Sequence, residues 1–296
     1  MTPRILSAGQ IDHFISHGYV TLPGAFSRER AKERTDHAFR RLGYDRNDPG
    51  TWKKTRLHMS LEHLDDFETY APEAFAAAAD LIGGADRIKR PAMISSEGFI
   101  VNFTDGADRP WEPPSALSHG WHKDGNWFHH FLDSPEQGLL MIFVYSDIRH
   151  QGGGTFGALD SVGHIARYLA QRPEGVDPGK FPLKQFAAQC QDFIEWTGEV
   201  GDVILMHPYM LHASSQNHSG IPRFITNPAL KLAQPMNFNR PNPHDHSPVE
   251  LAILNALGVD HFDFKNTTER RRVISPQALE QEKLKAAERQ ALAAVK

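Results

Sequence analysis

The chain has 296 residues, of which 40% are hydrophobic and 23% charged, enough length and apolar content to bury one sizeable core. A net charge of -4 and a pI near 6.5 offer no general basic surface for nucleic acid or an anionic membrane. One cysteine, Cys190, excludes an internal disulfide framework, and no apolar leader or membrane-length run is present, so a cytoplasmic protein is expected.

Ser7 at an N-cap and Gln10 three residues on predict a short helix carrying Ile11, Phe14 and Ile15, stopped by Gly18. Tyr19 to Leu22 follows as a strand. Ser27 caps a second helix with an inward stripe of Ala31, Thr35, Ala38 and Leu42, beside Phe39, ending at Gly43. Residues 44 to 70 are polar and irregular, anchored by Trp52 and Leu57. Pro72 opens a helix over Glu73 to Leu81, closed by Gly83-Gly84.

From residue 95 the pattern changes to short strands punctuated by Gly, Pro and Asn, which predicts a barrel or sandwich. Strands are expected at Gly98 to Phe103, Leu117 to Trp121, Leu139 to Asp147, Thr155 to Ala158, Phe193 to Thr197, Asp202 to Met206, Leu211 to Ala213 and Phe224 to Leu230. Gly152-Gly153-Gly154 makes a turn, Gly163 to Gln171 a short helix, and residues 172 to 183, with three prolines, a loop. Asn237 to Pro248 reads as irregular, and Ser275-Pro276 caps a charged helix running to about Val295. One domain results, with a helical part over 1-94, a β core over 95-232 and a C-terminal extension over 233-296.

The stretch Ser118-His119-Gly120-Trp121-His122-Lys123-Asp124-Gly125-Asn126 stands out. In a strand, residues two apart share a face at about 6 to 7 Å, so His122 and Asp124 can reach one metal ion. With a second imidazole they would form the facial triad that holds non-haem Fe(II) and leaves coordination positions open. Two other His-x-Asp pairs exist. His63-Leu64-Asp65 lies in a charged run read as helix or loop, where its side chains would diverge, and His261-Phe262-Asp263 has no histidine after it. The third ligand must come from the Gly201-Asp202 segment leading to His207-Pro208 and His212, and position alone does not choose between the two histidines.

Residues 121 to 124, 201 to 212 and Arg223 together resemble the phytanoyl-CoA dioxygenase family of Fe(II)/2-oxoglutarate oxygenases, as does the opening over 11 to 22. The resemblance covers roughly residues 8 to 230. It implies a mainly β fold with flanking helices, a double-stranded β-helix (jelly roll, cupin-like). It also implies His122, Asp124 and His212 as the catalytic iron ligands, with His207 a structural partner. Arg223 would pair with the remote carboxylate of 2-oxoglutarate, because its planar fork meets a carboxylate with two charge-assisted hydrogen bonds. Thr155 and Asn102 resemble positions that help hold the cosubstrate; otherwise Thr155 is a turn-to-strand residue and Asn102 a satisfied core amide.

The implied activity is oxidation of a C-H bond of a small molecule, with Fe(II), 2-oxoglutarate and O2, giving succinate and CO2. The intact Asp124 favours hydroxylation over halogenation, since halogenating relatives replace this carboxylate with a small residue. No nucleic-acid or membrane partner is expected, and a homodimer is open. Trp121, Trp127, Phe128 and Phe131 are expected as packing residues, and His129 and His130 at the surface or pocket edge. Two alternatives stand: an inactive metal-binding or sensor protein on the same scaffold, and a zinc hydrolase, which would lack a His-Glu-x-x-His base.

Overall fold

The computed structural model of the protein describes residues 5-59, 63-274 and 276-294. The capping box between Ser7 and Gln10 starts α1 (Ala8–His17), and Gly18, at φ 75°, ends it. Strand β1 (Tyr19–Leu22) leads to α2 (Arg28–Leu42), which is capped by Ser27 and buries Ala31, Thr35, Ala38 and Phe39. Then come β2 (Arg56–His58), β3 (Leu64–Asp66), α3 (Phe67–Tyr70), α4 (Pro72–Ile82), β4 (Met93–Ser95) and β5 (Ile100–Asn102). The second half holds β6 (Leu139–Val144), β7 (Thr155–Ala158), α5 (Ser161–Ala170), α6 (Leu183–Gln189), β8 (Phe193–Trp196), β9 (Val203–Met206) and β10 (Leu211–Ser214). It closes with β11 (Arg223–Thr226), β12 (Ala229–Leu230), α7 (Pro248–Leu257) and α8 (Pro276–Ala294).

One antiparallel sheet has the order β1-β9-β6-β11-β5-β2, with β12 also on β6, and a second has the order β10-β7-β8. From β5 onward the chain crosses back and forth between them, with β7 and β8 in succession in the small sheet. β5, β6, β9 and β11 belong to the large sheet; the His122 bridge, β7, β8 and β10 belong to the small one. This alternation is the double-stranded β-helix, or jelly roll. At its centre β6 and β9 are buried along their whole length, which explains why Leu139–Val144 is an unbroken apolar run rather than an alternating one. The flanking helices contain more residues than the strands do.

Four expectations need correction. Leu117 to Trp121 is not a strand: Ser115 and Ser118 close a turn on each other, Gly120 has φ 85°, and Leu117 is 88% exposed. The strand over Phe224 to Leu230 is split between Thr226 and Ala229, because Pro228 has no N-H to donate to a ladder. The polar stretch 44-70 contributes β2 and β3, with Leu57 opposite Val101 at the sheet edge and Trp52 packed 5.0 Å from the Phe103 ring. The extension contains α7, which starts on a Ser247–Glu250 capping box with Pro248 in its first turn and packs on α1, α4 and α5. Ser275 lies outside the described residues. No helix among the described residues is long and apolar enough to cross a membrane.

Candidate metal centre

His212 lies on β10 opposite Gly157 of β7. An isolated bridge brings His122 beside it: His122 N donates to His212 O and His212 N to His122 O, each at 3.0 Å. The ring centroids are 4.2 Å apart. Asp124 turns its carboxylate to both, with Oδ1 3.7 Å from His122 Nε2 and Oδ2 3.7 Å from His212 Nε2. One ligand atom from each residue lies within 4.8 Å of the other two, so the three could hold one metal ion. The backbone bridge, rather than strand alternation within 118-126, brings them together.

The tautomers follow from the carbonyls behind the rings. His122 Nδ1 faces Gly120 O at 2.7 Å and His212 Nδ1 faces Met210 O at 3.1 Å. A carbonyl only accepts, so each Nδ1 carries a proton and each Nε2, the nitrogen that faces Asp124, is the one left to bind a metal. His212 Nε2 is buried without a hydrogen-bond partner among the described residues. A buried, unpartnered imidazole nitrogen facing a carboxylate and a second imidazole suits a divalent cation. Burial pushes the Asp124 carboxyl up, but His212, then His122 and Lys123, outweigh it and hold it at about 2. Burial, then His212, lowers His122; burial also pulls His212 down, but Asp124 and Met210 O raise it overall.

Three supporting residues were not anticipated. Asn227 Nδ2 donates to Asp124 Oδ2 at 2.8 Å, fixing the carboxylate; the register against β6 runs unchanged from Thr226 to Ala229, so alternation places Asn227 on the face that Arg223 shares. Lys123 Nζ donates to Asp124 O at 3.0 Å and to His130 Nδ1 at 3.1 Å, with the rings of Tyr209, Phe128 and Phe181 5.7 to 5.9 Å away. Burial, only partly opposed by Asp124, brings this ammonium down to about 7. His130 Nε2 donates to Gly125 O at 2.7 Å, which leaves Nδ1 as the acceptor for Lys123. A side chain at Gly125, φ 110°, would start 2.6 Å from the His130 ring, so only glycine allows this approach. His130 is therefore a core residue rather than a surface one, and His129 is likewise buried, between Asp177 and Glu174 O.

Arg223 is 1% exposed. It lies opposite Asn102 on β5, and Arg56 on β2 lies opposite the same residue, so the three share a face. Phe224, the next residue, packs against Phe39, Phe99 and Phe103, so Arg223 points to the other face of the sheet. Arg223 Nη1 donates to Ile100 O at 3.3 Å, while Nε and Nη2 are buried with no partner among the described residues. Burial, then the Arg56 charge, pushes the guanidinium down to about 9, and Asp105, which pairs with Arg56 at 4.0 Å, opposes only part of this. A buried cation with two idle donors beside a second arginine fits a carboxylate.

Thr155 is opposite Ser214, two residues from His212, so it shares the face that carries His212. The Asn102 amide is committed to backbone: Nδ2 donates to Ser215 O at 3.0 Å and Oδ1 accepts from Asp105 N at 2.9 Å. His207 is fully buried away from the cluster, with Nδ1 accepting from Tyr209 N and Nε2 facing Val249 O. Burial pushes it down to about 3. His63 and Asp65 do not diverge as expected; extended backbone puts His63 Nε2 3.3 Å from Asp65 Oδ1, but Arg34 occupies that carboxylate at 3.1 Å.

A jelly roll that gathers two imidazoles and a carboxylate could hold a non-haem metal ion. The family model described as phytanoyl-CoA dioxygenase (PhyH) matches residues 14-225, and the chain belongs to that family. It is thus a 2-oxoglutarate-dependent non-haem iron oxygenase, with Fe(II), 2-oxoglutarate and O2 as cofactor and cosubstrates. None of the curated proteins matches it. Among solved structures it is similar to SnoK, a non-haem alpha-ketoglutarate-dependent carbocyclase from nogalamycin biosynthesis, at 17% identity over 78% of this chain and 86% of that one, TM-score 0.48. HygX from Streptomyces hygroscopicus, crystallised with nickel and 2-oxoglutarate, is 15% identical over 75% and 85%, TM-score 0.42. EctD from S. alaskensis, crystallised with 2-oxoglutarate and 5-hydroxyectoine, is 17% identical over 78% of both chains, TM-score 0.39. These distant likenesses add nothing to the family assignment.

Proposed function

We propose that the protein hydroxylates a C-H bond of a small molecule, with His122, Asp124 and His212 as the iron ligands and Arg223 as the anchor for 2-oxoglutarate. The observation that carries this reading is the pair of orphans: a buried His212 nitrogen facing Asp124 and His122, and a buried guanidinium with two unused donors. The balance is substrate C-H plus 2-oxoglutarate plus O2 giving substrate C-OH, succinate and CO2. The iron, when bound with its cosubstrates, supplies the oxidant that takes hydrogen from the substrate carbon.

The chain's own residues bind and orient. Two neutral imidazoles and one carboxylate leave coordination positions for the keto acid and O2. Asn227 keeps the Asp124 carboxylate from turning, and the carbonyls of Gly120 and Met210 keep both Nε2 lone pairs available. Arg223, with Arg56 in the same row, provides positive potential for a dianion, and Thr155 lines the His212 face. The His122 side chain is half-exposed while that of His212 is buried, so substrate approaches from the His122 side. Retention of Asp124 favours oxygen transfer over halide transfer.

The test is conversion of 2-oxoglutarate to succinate under Fe(II) and O2, followed by a small-molecule panel with labelled O2 read by mass spectrometry. Wild type should make succinate and put one labelled oxygen into a product, and Asp124→Ala should do neither. Full succinate production by Asp124→Ala would refute the ligand assignment, and a product without labelled oxygen would refute hydroxylation.

A further inference from the structure

A second constellation lies outside the centre already described. Asp160 precedes α5 and His164 lies one turn into it, so the i, i+4 spacing puts both side chains on one face of that helix. Cys190, 4% exposed, follows the last turn of α6 and is brought to the same place. One ligand atom from each of the three lies within 4.8 Å of the other two. No residue is shared with the His122, Asp124 and His212 group.

The hydrogen bonds around the cluster leave it incomplete. Asp160 Oδ2 accepts from Gln191 N at 2.9 Å, which clips the segment after α6 to the start of α5. Asp160 Oδ1 is closed off from solvent and has no hydrogen-bond partner among the described residues. The Cys190 thiol donates to Phe186 O at 3.2 Å. Arg167, the cation on the same helix, is drawn to Ala256 O at 2.9 Å on α7. A buried carboxylate oxygen is thus left without a donor next to a thiol and an imidazole.

We infer that Asp160, His164 and Cys190 form a second metal site, one that takes a borderline-soft divalent cation such as zinc, with water as the fourth ligand. One sulfur, one imidazole nitrogen and one carboxylate oxygen match that class of ion, whereas the oxygenase centre offers only nitrogen and oxygen. Binding forms a metal-sulfur bond and releases the thiol proton to solvent, with no change of oxidation state. The positive end of the α5 dipole, about half a charge, opposes a cation there, but two anionic ligands outweigh it. The ion would pin α5 to the end of α6, next to the β7 and β8 strands of the small sheet.

The chain's single cysteine makes the test clean. Protein stripped with chelator is titrated with Co(II) in the absence of O2, and absorbance is followed for a thiolate-to-cobalt charge-transfer band, which the oxygenase centre cannot produce. Wild type should show the band and bind one equivalent beyond the oxygenase centre, and Zn(II) should bleach it. Cys190→Ser should lose both the band and that equivalent, and His164→Ala should weaken both at least tenfold. His212→Ala should keep the band and lose the other equivalent. Absence of the band in wild type, whose fold is unaltered, would overturn the inference. So would a band of full strength and affinity in His164→Ala and Asp160→Asn, which would reduce the site to a cysteine alone.

Discussion

Replacing Arg223 with methionine should have opposite effects on the free and the cosubstrate-bound protein. Burial holds the guanidinium down from 12.5 to about 9. Keeping it charged at neutral pH therefore costs the fold roughly 5 kcal/mol as an upper bound, present below about pH 9 and lost as pH rises toward the unfolded value. Methionine keeps much of the aliphatic stem and removes the charge, at the expense of the single bond to Ile100 O, about 1 kcal/mol, and some packing. The net is a gain of about 1 to 3 kcal/mol, so the free Arg223→Met protein should melt a few degrees above wild type. Cosubstrate binding should change the other way. Losing one side of a charge-assisted carboxylate pair costs on the order of 2 to 5 kcal/mol, at least about thirtyfold in affinity. At a hundred times the wild-type Kd, 2-oxoglutarate stabilises wild type by about 2.7 kcal/mol and the variant by less than about 1. Calorimetry with a redox-inert dication, under nitrogen, with and without 2-oxoglutarate, measures both. A free variant that melts well below wild type, or one that gains as much from 2-oxoglutarate, refutes the reasoning.

Three further outcomes are expected. Asn227→Ala frees the Asp124 carboxylate to rotate and should weaken Fe(II) or Ni(II) binding about 10- to 100-fold in a metal titration while leaving the melting temperature of the metal-free protein within a few degrees. Gly157→Ala puts a methyl 2.2 Å from the buried Trp196 ring, opposite His212, and should cost about 1 to 3 kcal/mol in urea unfolding and weaken metal binding as β10 shifts. His207 is held at about 3 against 6.5 in the unfolded chain, so its contribution is complete above pH 6.5 and is lost as pH falls toward 3. Unfolding at pH 6.5 and pH 5 should show a loss of about 2 kcal/mol from this residue, and that component should be missing in His207→Gln.

The centre of the jelly roll was legible because its rules are local: an unbroken apolar run at 139-144 and the Gly152 to Gly154 turn each have one sensible meaning. Helix α7 was missed, although Ser247, Pro248 and Glu250 carry the same capping signal that located α1, because the surrounding Pro, Asn and His drew the reading toward loop. The pairing of β2 could not be read, because a three-residue edge strand with Arg56 and His58 exposed carries almost no pattern of its own. At the candidate metal centre, the meeting of His122, Asp124 and His212 was expected, but what brings them together was not. His122 and Asp124 were expected to converge by strand alternation, whereas a two-bond bridge to His212 does it, and that is a contact between positions ninety residues apart. Lys123 hid in the motif for a related reason: a lysine between two polar residues suggests solvent, and nothing in the sequence announces the aromatic rings of Phe128, Phe181 and Tyr209 around its ammonium.

The His122 bridge also bears on how the protein ages in its metal-free form. Between β5 and β6 the chain runs from residue 103 to 138 without a strand of its own, and two of the three candidate iron ligands lie in that stretch. Its attachment to the small sheet at the centre is the reciprocal pair of backbone bonds between His122 and His212. Three side chains gripping one ion would act as a clasp across the same two segments, so the cost of letting the stretch peel away rises with metal affinity and concentration. Proteolytic nicking between residues 104 and 121 then becomes a gauge of occupancy: iron-starved protein would be cut there first, and cells short of iron would lose this enzyme by turnover as well as by lack of cofactor.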